Sequence, residues 1–515
     1  MTEPASGSGR VFLVGAGPGD PELITVKGAR CLAQAEVVVY DRLASPELLD
    51  LAPAAAERIF VGKGPRQHTM TQEEINQVLV DRAERGRVVV RLKGGDPYVF
   101  GRGGEEALAL FERGLAFEVV PGISSAVAGP ASAGIPVTHR AVATSFAVVT
   151  GHEDPLKATS GVDWARVACA ADTLVFVMGV ERLSEIVAAL VANGRSAETP
   201  AALVRWATTP RQEVVDGTLA TIVERAAAAR MGAPAVFVVG EVVRLRDRLD
   251  WRSALPLAGL RVLVTRARHQ ASQLSRRLSV LGAVPLEFPT IEIQPVEDLA
   301  PLDSAIARLS DFAWVIFTST NGVDAFFDRL AVVGGDTRKL AHSRVCAVGP
   351  ATAERLAEHG IRADRLPERF LTEAIVAAFD PAELAGVEVL LARADIAPPL
   401  LAEELTRLGA RVRDVVAYRT VVAADSQGAI RDRIQSGEVD LITLTSSSTA
   451  RNLLAALDGD SGLLRHVVVA SIGPVTSATA RELGLRVEIE ASEHTIPGLV
   501  AAIESWRRKA TAAAT

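Results

Sequence analysis

Arg91-Leu92-Lys93-Gly94-Gly95-Asp96-Pro97 closes an apolar run, and Gly101-Arg102-Gly103-Gly104-Glu105-Glu106 follows a few residues later. Two adjacent glycines let a backbone approach a ligand closely, and the carboxylate after them can take hydroxyl or ammonium donors. The cations around the turn point to a second ligand that is anionic; the plain alternative is a solvated turn. An earlier turn, Gly15-Ala16-Gly17-Pro18-Gly19-Asp20, also follows an apolar run and precedes a helical pattern. Taken alone it could be a dinucleotide fingerprint with Asp41 as the ribose-binding acid. Asp20 stands where that fingerprint needs Gly or Ala, and Pro18 removes a phosphate-facing N–H, so the nicotinamide reading is weak.

Strand-like runs position these turns: Val11 to Gly17, Val37 to Tyr40, Val88 to Leu92, Phe146 to Thr150, Leu174 to Met178 and Val236 to Val239, with helical segments between. The alternation predicts α/β architecture with largely parallel sheets. Charge, Pro256 and Gly259 break the pattern near 246–260, and RVLVTRA restarts it. The expected organisation is a first domain over 1–247, a linker over 248–258, a second domain over 259–505 and a frayed tail over 506–515. The second domain repeats itself. Val315–Phe327 matches Leu441–Leu454, Val345–Asp364 matches Val468–Glu488, and Arg266 and Arg393 each precede a Gly-Ala pair by 16 residues. Two units are too few for a solenoid, so two similar lobes are expected, their hydroxyl-bearing turns at strand-to-helix junctions where helix N-termini attract anions.

At 515 residues the chain exceeds one ordinary core, and 49% hydrophobic against 23% charged residues gives ample apolar material. A formal charge of −7 argues against a general nucleic-acid binder. Cys31, Cys169 and Cys346 are scattered and odd in number, and His139 and His152 lack paired ligand spacing. Neither a disulfide framework nor a metal site is expected. No secretory leader and no membrane span of about 20 apolar residues is evident, so a cytoplasmic location is expected.

GAGPGDPELIT, VVVYDRL, VGK, QEEIN, VVRLKGGDPYVFGRGGEE, VVPGISSA and AGIPVTHR, in that order over about residues 11–245, resemble the uroporphyrinogen III methyltransferase family. The resemblance implies the two-lobed class III methyltransferase fold, S-adenosylmethionine as cofactor and a homodimer through this half. It places cofactor contacts at Pro18, Gly94, Gly95, Asp96, Val99, Ser124, Ser125, Met178 and Ala207, the last where the family usually has Gly. Asp41 matches the family's proton acceptor and Lys63 its proton donor. An eight-carboxylate substrate needs a basic trough, for which Arg42, Lys63, Arg66, His68, Lys93, Arg102, His139 and Arg140 are the candidates.

RVLVTRARHQASQLSRRLSVLGAVPLEFPTIEI, WVIFTSTNGVDAFF, CAVGPATA, VVAYRT, TLTSSSTARNLL and SIGPVTSATA resemble uroporphyrinogen III synthase over about 259–503. That implies one lobe from about 259–295 and 422–505 and another from about 296–421. Thr318, Ser319, Asn321, Thr352, Thr445, Ser446, Ser447 and Thr476, with backbone N–H groups near Gly349 and Gly473, would hold the substrate. Tyr418 matches a tyrosine thought to assist a departing hydroxyl, and Arg266 would bind a carboxylate or stabilise a lobe.

Together the resemblances imply a bifunctional enzyme that cyclises hydroxymethylbilane to uroporphyrinogen III and methylates it twice, through precorrin-1 to precorrin-2, toward cobalamin or siroheme. The alternatives are a methyltransferase of another corrin precursor and a second half that binds tetrapyrrole without catalysis.

Overall fold

The structure, a computed structural model, describes residues 9–62, 70–151, 161–265, 268–288, 291–367, 372–422 and 427–514. They form two compact units, one running to Gly259 with Leu281–Val284 added, the other made of Leu260–Val280 and Pro285 onward.

The first unit opens with β1 (Arg10–Gly15), α1 (Val26–Ala33), β2 (Val37–Tyr40), β3 (Glu57–Phe60), α2 (Gln72–Glu84), β4 (Val88–Lys93), α3 (Gly103–Glu112) and β5 (Ala116–Val120). The strands form one parallel sheet in the order β3-β2-β4-β1-β5. Runs such as VVVY show no polar alternation because both faces are covered. Val11, Leu13, Val37, Val39 and Val89 pack under Leu79 of α2 and Leu110 of α3, whereas Val14, Val38, Val90 and Leu92 pack against Leu32 and Leu48. Strand periodicity therefore puts Arg91 and Lys93 on the face of Val89, beneath α2 and α3.

α4 (Ser125–Ser132) then crosses to a second sheet, where Ala126 shares a core with Val175, Val204 and Val238. That sheet comprises β6 (Phe146–Thr150), β7 (Thr173–Val177), β8 (Pro200–Arg205), β9 (Glu213–Thr218) and β10 (Ala235–Val239), in the order β6-β7-β10-β8-β9. Only β6 and β7 run parallel; β10 is antiparallel to β7 and β8, and β8 to β9. The expectation of largely parallel sheets fails here because the short Trp206–Gln212 connection folds β9 straight back onto β8. Nor is 248–258 a free linker. Trp251 Nε1 donates to the Ala131 carbonyl (3.4 Å) and Arg252 Nη2 to that of Thr209 (3.0 Å), fastening the segment to the first unit.

The second unit contains β11 (Arg261–Val264), β12 (Val284–Glu287), β13 (Ile291–Gln294), β14 (Phe312–Phe317), β15 (Arg344–Ala347), β16 (Glu388–Ala394), β17 (Arg411–Val422), β18 (Leu441–Leu444), β19 (Val468–Ser471) and β20 (Val487–Glu490). They build two sheets, β12-β11-β18-β19-β20 and β13-β17-β16-β14-β15. The sequence repeat is written into this order. β11, β18 and β19 in one sheet and β16, β14 and β15 in the other are parallel triplets whose repeat-equivalent strands run in the same order. Two boundaries differ from expectation. β13 pairs antiparallel with β17, so 291–294 belongs to the lobe expected to start near 296. The helix Ile496–Ala514 carries regular structure through the expected tail, with Leu499 and Ile503 buried.

Burial pushes the Cys346 thiol up to about 12 and raises that of Cys31, whereas Cys169 is exposed. Because the thiolate is the nucleophile, a thiol reagent should titrate Cys169 alone in the native protein and all three cysteines only in denaturant.

Candidate functional site

The two glycine turns form one backbone structure. β4 and β1 are neighbours, Ala16 N donates to the Lys93 carbonyl (2.7 Å), Gly95 N to that of Gly17 (2.7 Å) and Gly17 N to that of Gly95 (3.2 Å). Gly17 (φ +78°) and Gly95 (φ +70°) sit in the left-handed region that glycine enters without steric cost. The loop after β5 joins them. A Cβ on Gly122 would lie 2.3 Å from the Gly95 carbonyl oxygen and 2.6 Å from Gly15 Cα. Asp96 laces the loops together, accepting from Gly122 N (3.0 Å) and Tyr98 N (2.8 Å). Pro18 is half-buried at the crest, Gly94 backs onto Leu43, and Val99 is exposed. Ser124 caps α4 by accepting from Ala126 N, which makes Ser125 the first residue of the helix. Since no side chain fits at 122, Gly122→Ala should cost about 1–3 kcal/mol and weaken ligand binding at these turns, measurable by thermal melting and calorimetry.

The second lobe meets the first glycine turn through residues 207–209, which approach Gly19. Met178 follows β7 with φ +56° and an exposed side chain, and Trp206 and Thr208 have φ +48° and +68°. Non-glycine residues held in this region gather at functional sites. Ala207 lies between them, buried and outside the left-handed region, so alanine is sterically admissible where the family has Gly. Thr208 Oγ1 accepts from Asp20 N (3.1 Å), joining the second lobe to the first glycine turn. Gln212 props this loop: its Oε1 accepts from Thr208 N (2.8 Å) and Ser132 Oγ (2.6 Å), and its Nε2 donates to the Ser132 carbonyl (3.0 Å). Neither Gln212 nor Gly122 was evident from sequence, because their partners lie far away along the chain.

Beside the glycine turns lies a cluster of charges. Asp41 follows β2, its Oδ1 accepting from Leu43 N (3.0 Å) and its Oδ2 from Arg91 Nη2 (3.2 Å). Arg91 Nε (3.1 Å) and Lys93 Nζ (2.8 Å) both donate to Glu106 Oε1. Glu106 is wholly buried, and Arg91 and Lys93 nearly so. Desolvation, and next the Arg91 charge, push the Lys93 ammonium pKa down. Lys93 was expected to line a substrate trough; its ammonium is instead buried on Glu106, because the strand face that carries it is roofed by α2 and α3. Arg42 and Arg140 are exposed. Arg102 caps α3 in the left-handed region (φ +58°) and pairs with Glu105 at 2.6 Å. His139 accepts from Ala141 N through Nδ1 (3.3 Å). Lys63, Arg66, His68 and His152 lie outside the described residues.

In the second unit the repeat gives two like turns. Ser319 caps the helix Thr320–Val332 through Gly322 N (3.0 Å), and Ser446 caps the helix Ser447–Ala456 through Thr449 N (3.2 Å). Thr318 and Thr445, one residue earlier, are half-buried. Tyr418 Oη is 3.0 Å from Ser319 Oγ. Burial raises the Tyr418 pKa, so the phenol keeps its proton at neutral pH and can donate it. Thr352 and Thr476 depart from expectation. Both side chains are 5% exposed, turned inward from the first turns of helices Pro350–Glu358 and Pro474–Glu482. The outward groups there are backbone N–H, since Gly349 and Gly473 bring no side-chain cap. Arg266 is outside the described residues; Arg393, its repeat partner, is buried against Asp414 and the Pro398 carbonyl.

Comparison with known proteins divides the chain at the same place. Residues 10–223 match the family model of tetrapyrrole (corrin/porphyrin) methylases, and residues 272–501 that of uroporphyrinogen-III synthase HemD. The porphyrin biosynthesis protein HemD of Ruminiclostridium josui is 37% identical over 494 residues, covering 96% of this chain and 97% of that one. The uroporphyrinogen-III C-methyltransferase of Methanocaldococcus jannaschii is 54% identical over 241 residues, 47% of this chain and 99% of that one. Among solved structures, the uroporphyrin-III C-methyl transferase of Thermus thermophilus complexed with S-adenyl homocysteine is 44% identical, covers 46% of this chain and 100% of that one, and superposes with a TM-score of 0.40.

Proposed function

Since the chain belongs to the tetrapyrrole methylases in its first unit and to the uroporphyrinogen-III synthases in its second, we propose that it makes uroporphyrinogen III from hydroxymethylbilane and methylates it twice, through precorrin-1 to precorrin-2. The observation that carries the methyl-transfer reading is the placement of Asp41. Its carboxylate is fixed next to the turn of Leu43 that packs on Gly94, at the edge of the glycine-built recess.

The recess fits S-adenosylmethionine. Gly17, Gly95 and Gly122, their own N–H groups bonded within the protein, keep its floor free of side chains, and in this reading Met178, Ala207 and the first turn of α4 bound it. These suit a zwitterion with hydroxyl groups. Bound there, S-adenosylmethionine supplies an electrophilic methyl on a sulfonium. The protein aligns the pyrrole carbon with it, a contribution of up to about 7–11 kcal/mol in favourable cases. Asp41 takes the proton that the methylated pyrrole system sheds, from a position other than the quaternary carbon that has gained the methyl. Arg42, Arg140 and Lys63 engage substrate carboxylates, and Lys63 donates a proton. This reading includes a homodimer through the first unit, for which Leu108 and Phe111 on α3 offer an exposed apolar face.

In the second unit Tyr418 protonates the departing hydroxyl of hydroxymethylbilane, which leaves as water. Thr318, Ser319, Thr445, Ser446 and the first-turn N–H groups after Gly349 and Gly473 hold the carboxylates while the last ring inverts. No helix among the described residues is long and apolar enough to cross a membrane; the reading places the chain in the cytoplasm.

The test is calorimetry of the full chain with S-adenosylhomocysteine and with NAD, followed by turnover of uroporphyrinogen III. Uptake of S-adenosylhomocysteine and a dimethylated product are expected. Tight binding of NAD without S-adenosylhomocysteine uptake would sink the reading.

A further inference from the structure

Resting on the assignment of Asp41 as proton acceptor, we propose that Arg91, itself held by Glu106, is a positioning residue for methyl transfer that fixes the direction in which the Asp41 carboxylate faces the pyrrole.

The guanidinium reaches four groups at once. Nε donates to Glu106 Oε1 (3.1 Å), Nη2 to Asp41 Oδ2 (3.2 Å), and Nη1 to the carbonyls of Leu92 (2.9 Å) and Val39 (3.4 Å). Val39 lies on β2 two residues before Asp41, so one rigid fork holds both the strand end and the carboxylate it carries. Arg91 is 4% exposed, whereas the Asp41 side chain is 25% exposed. The pair thus joins a fixed interior group to one facing the recess. With one donor on each oxygen, Leu43 N and Arg91 Nη2, the Asp41 carboxylate cannot rotate without losing a bond, and its remaining lone pairs keep one direction.

Glu106 sets the arginine in turn. It has no exposure, and its Oε2 takes no hydrogen bond from the described residues. Both cations therefore converge on Oε1. Lys93 is the weaker of the two, since burial lowers its pKa. Arg91 presents the planar fork that the geometry uses. Lysine at 91 would keep the charge but could not span Glu106 and Asp41 together.

The experiment uses the full chain with uroporphyrinogen III and S-adenosylmethionine. Arg91→Lys is expected to lower kcat at least about tenfold, since small misplacements of a reacting group are costly. KM for uroporphyrinogen III and the affinity for S-adenosylhomocysteine should stay within about twofold, as Arg91 itself touches neither in this account. In an Asp41→Asn background Arg91→Lys should change kcat no further, because the carboxylate it orients is already neutralised. An active wild type with a fully active Arg91→Lys overturns the proposal, as does an equal loss in both backgrounds, which marks a merely structural effect. If Arg91→Lys does not fold, Glu106→Gln serves: it keeps the volume and an acceptor for Arg91 but removes the charge. A wild-type rate in folded Glu106→Gln overturns the proposal, and a kcat loss absent from the Asp41→Asn background supports it. A wild type without methyl transfer would overturn the proposed activity, and this proposal with it.

Discussion

Replacing Asp41 by alanine should reduce the single-turnover rate of methyl transfer by roughly 10²–10⁴, the range a positioned general base contributes. S-adenosylhomocysteine binding should be unchanged, because among the described residues the Asp41 carboxylate bonds to Leu43 N and Arg91 and not to the glycine turns themselves. Removing its carboxylate spares the Gly17–Gly95 pairing that shapes the recess. Rapid-quench measurement of methylated product with saturating S-adenosylmethionine isolates the chemical step. A variant within about threefold of wild type would remove Asp41 from the chemistry, since a general base cannot be deleted so cheaply.

The second large effect concerns stability. Glu106→Ala strands Lys93 in a dry interior without its carboxylate and leaves Arg91 to Asp41 alone among the described acids. Breaking a buried ion pair by removing one partner typically costs about 3–5 kcal/mol. The loss should appear as faster amide hydrogen exchange in β4 and α3, by two powers of ten or more, because 1.4 kcal/mol corresponds to about tenfold in an opening equilibrium. Exchange in the second unit should not change. Equal protection of β4 in variant and wild type would mean that the cluster is not the keystone its burial implies.

The legible parts of this chain were those in which local chemistry and tertiary role agree. VVVY and FAVVT end where β2 and β6 end, since apolar runs bounded by turns have no competing reading. The repeat showed the two-sheet plan of the second unit, because equivalent strands carry equivalent turns: Thr318-Ser319 and Thr445-Ser446 both precede capped helices. Other features are fixed by distant partners and left no local trace. Arg91 and Lys93 read as cations available to an anionic ligand, since charge is usually exposed. What buries them is Glu106, which arrives on a helix after two glycine turns. Thr352 and Thr476 read as ligands because a hydroxyl after Gly-Pro suggests a cap; in fact they stand at the third helical position and turn inward. The antiparallel second sheet was missed because β8 and β9 are joined through Trp206–Gln212, a segment without a hairpin dipeptide.

The most direct measurement of the whole account is isomer-resolving chromatography with mass analysis of the product when the full chain receives hydroxymethylbilane, with and without S-adenosylmethionine. The type III isomer alone is expected without the cofactor, and its dimethylated form with it. Accumulation of only the spontaneous type I isomer, unmethylated in both arms, would contradict the assignment of both units.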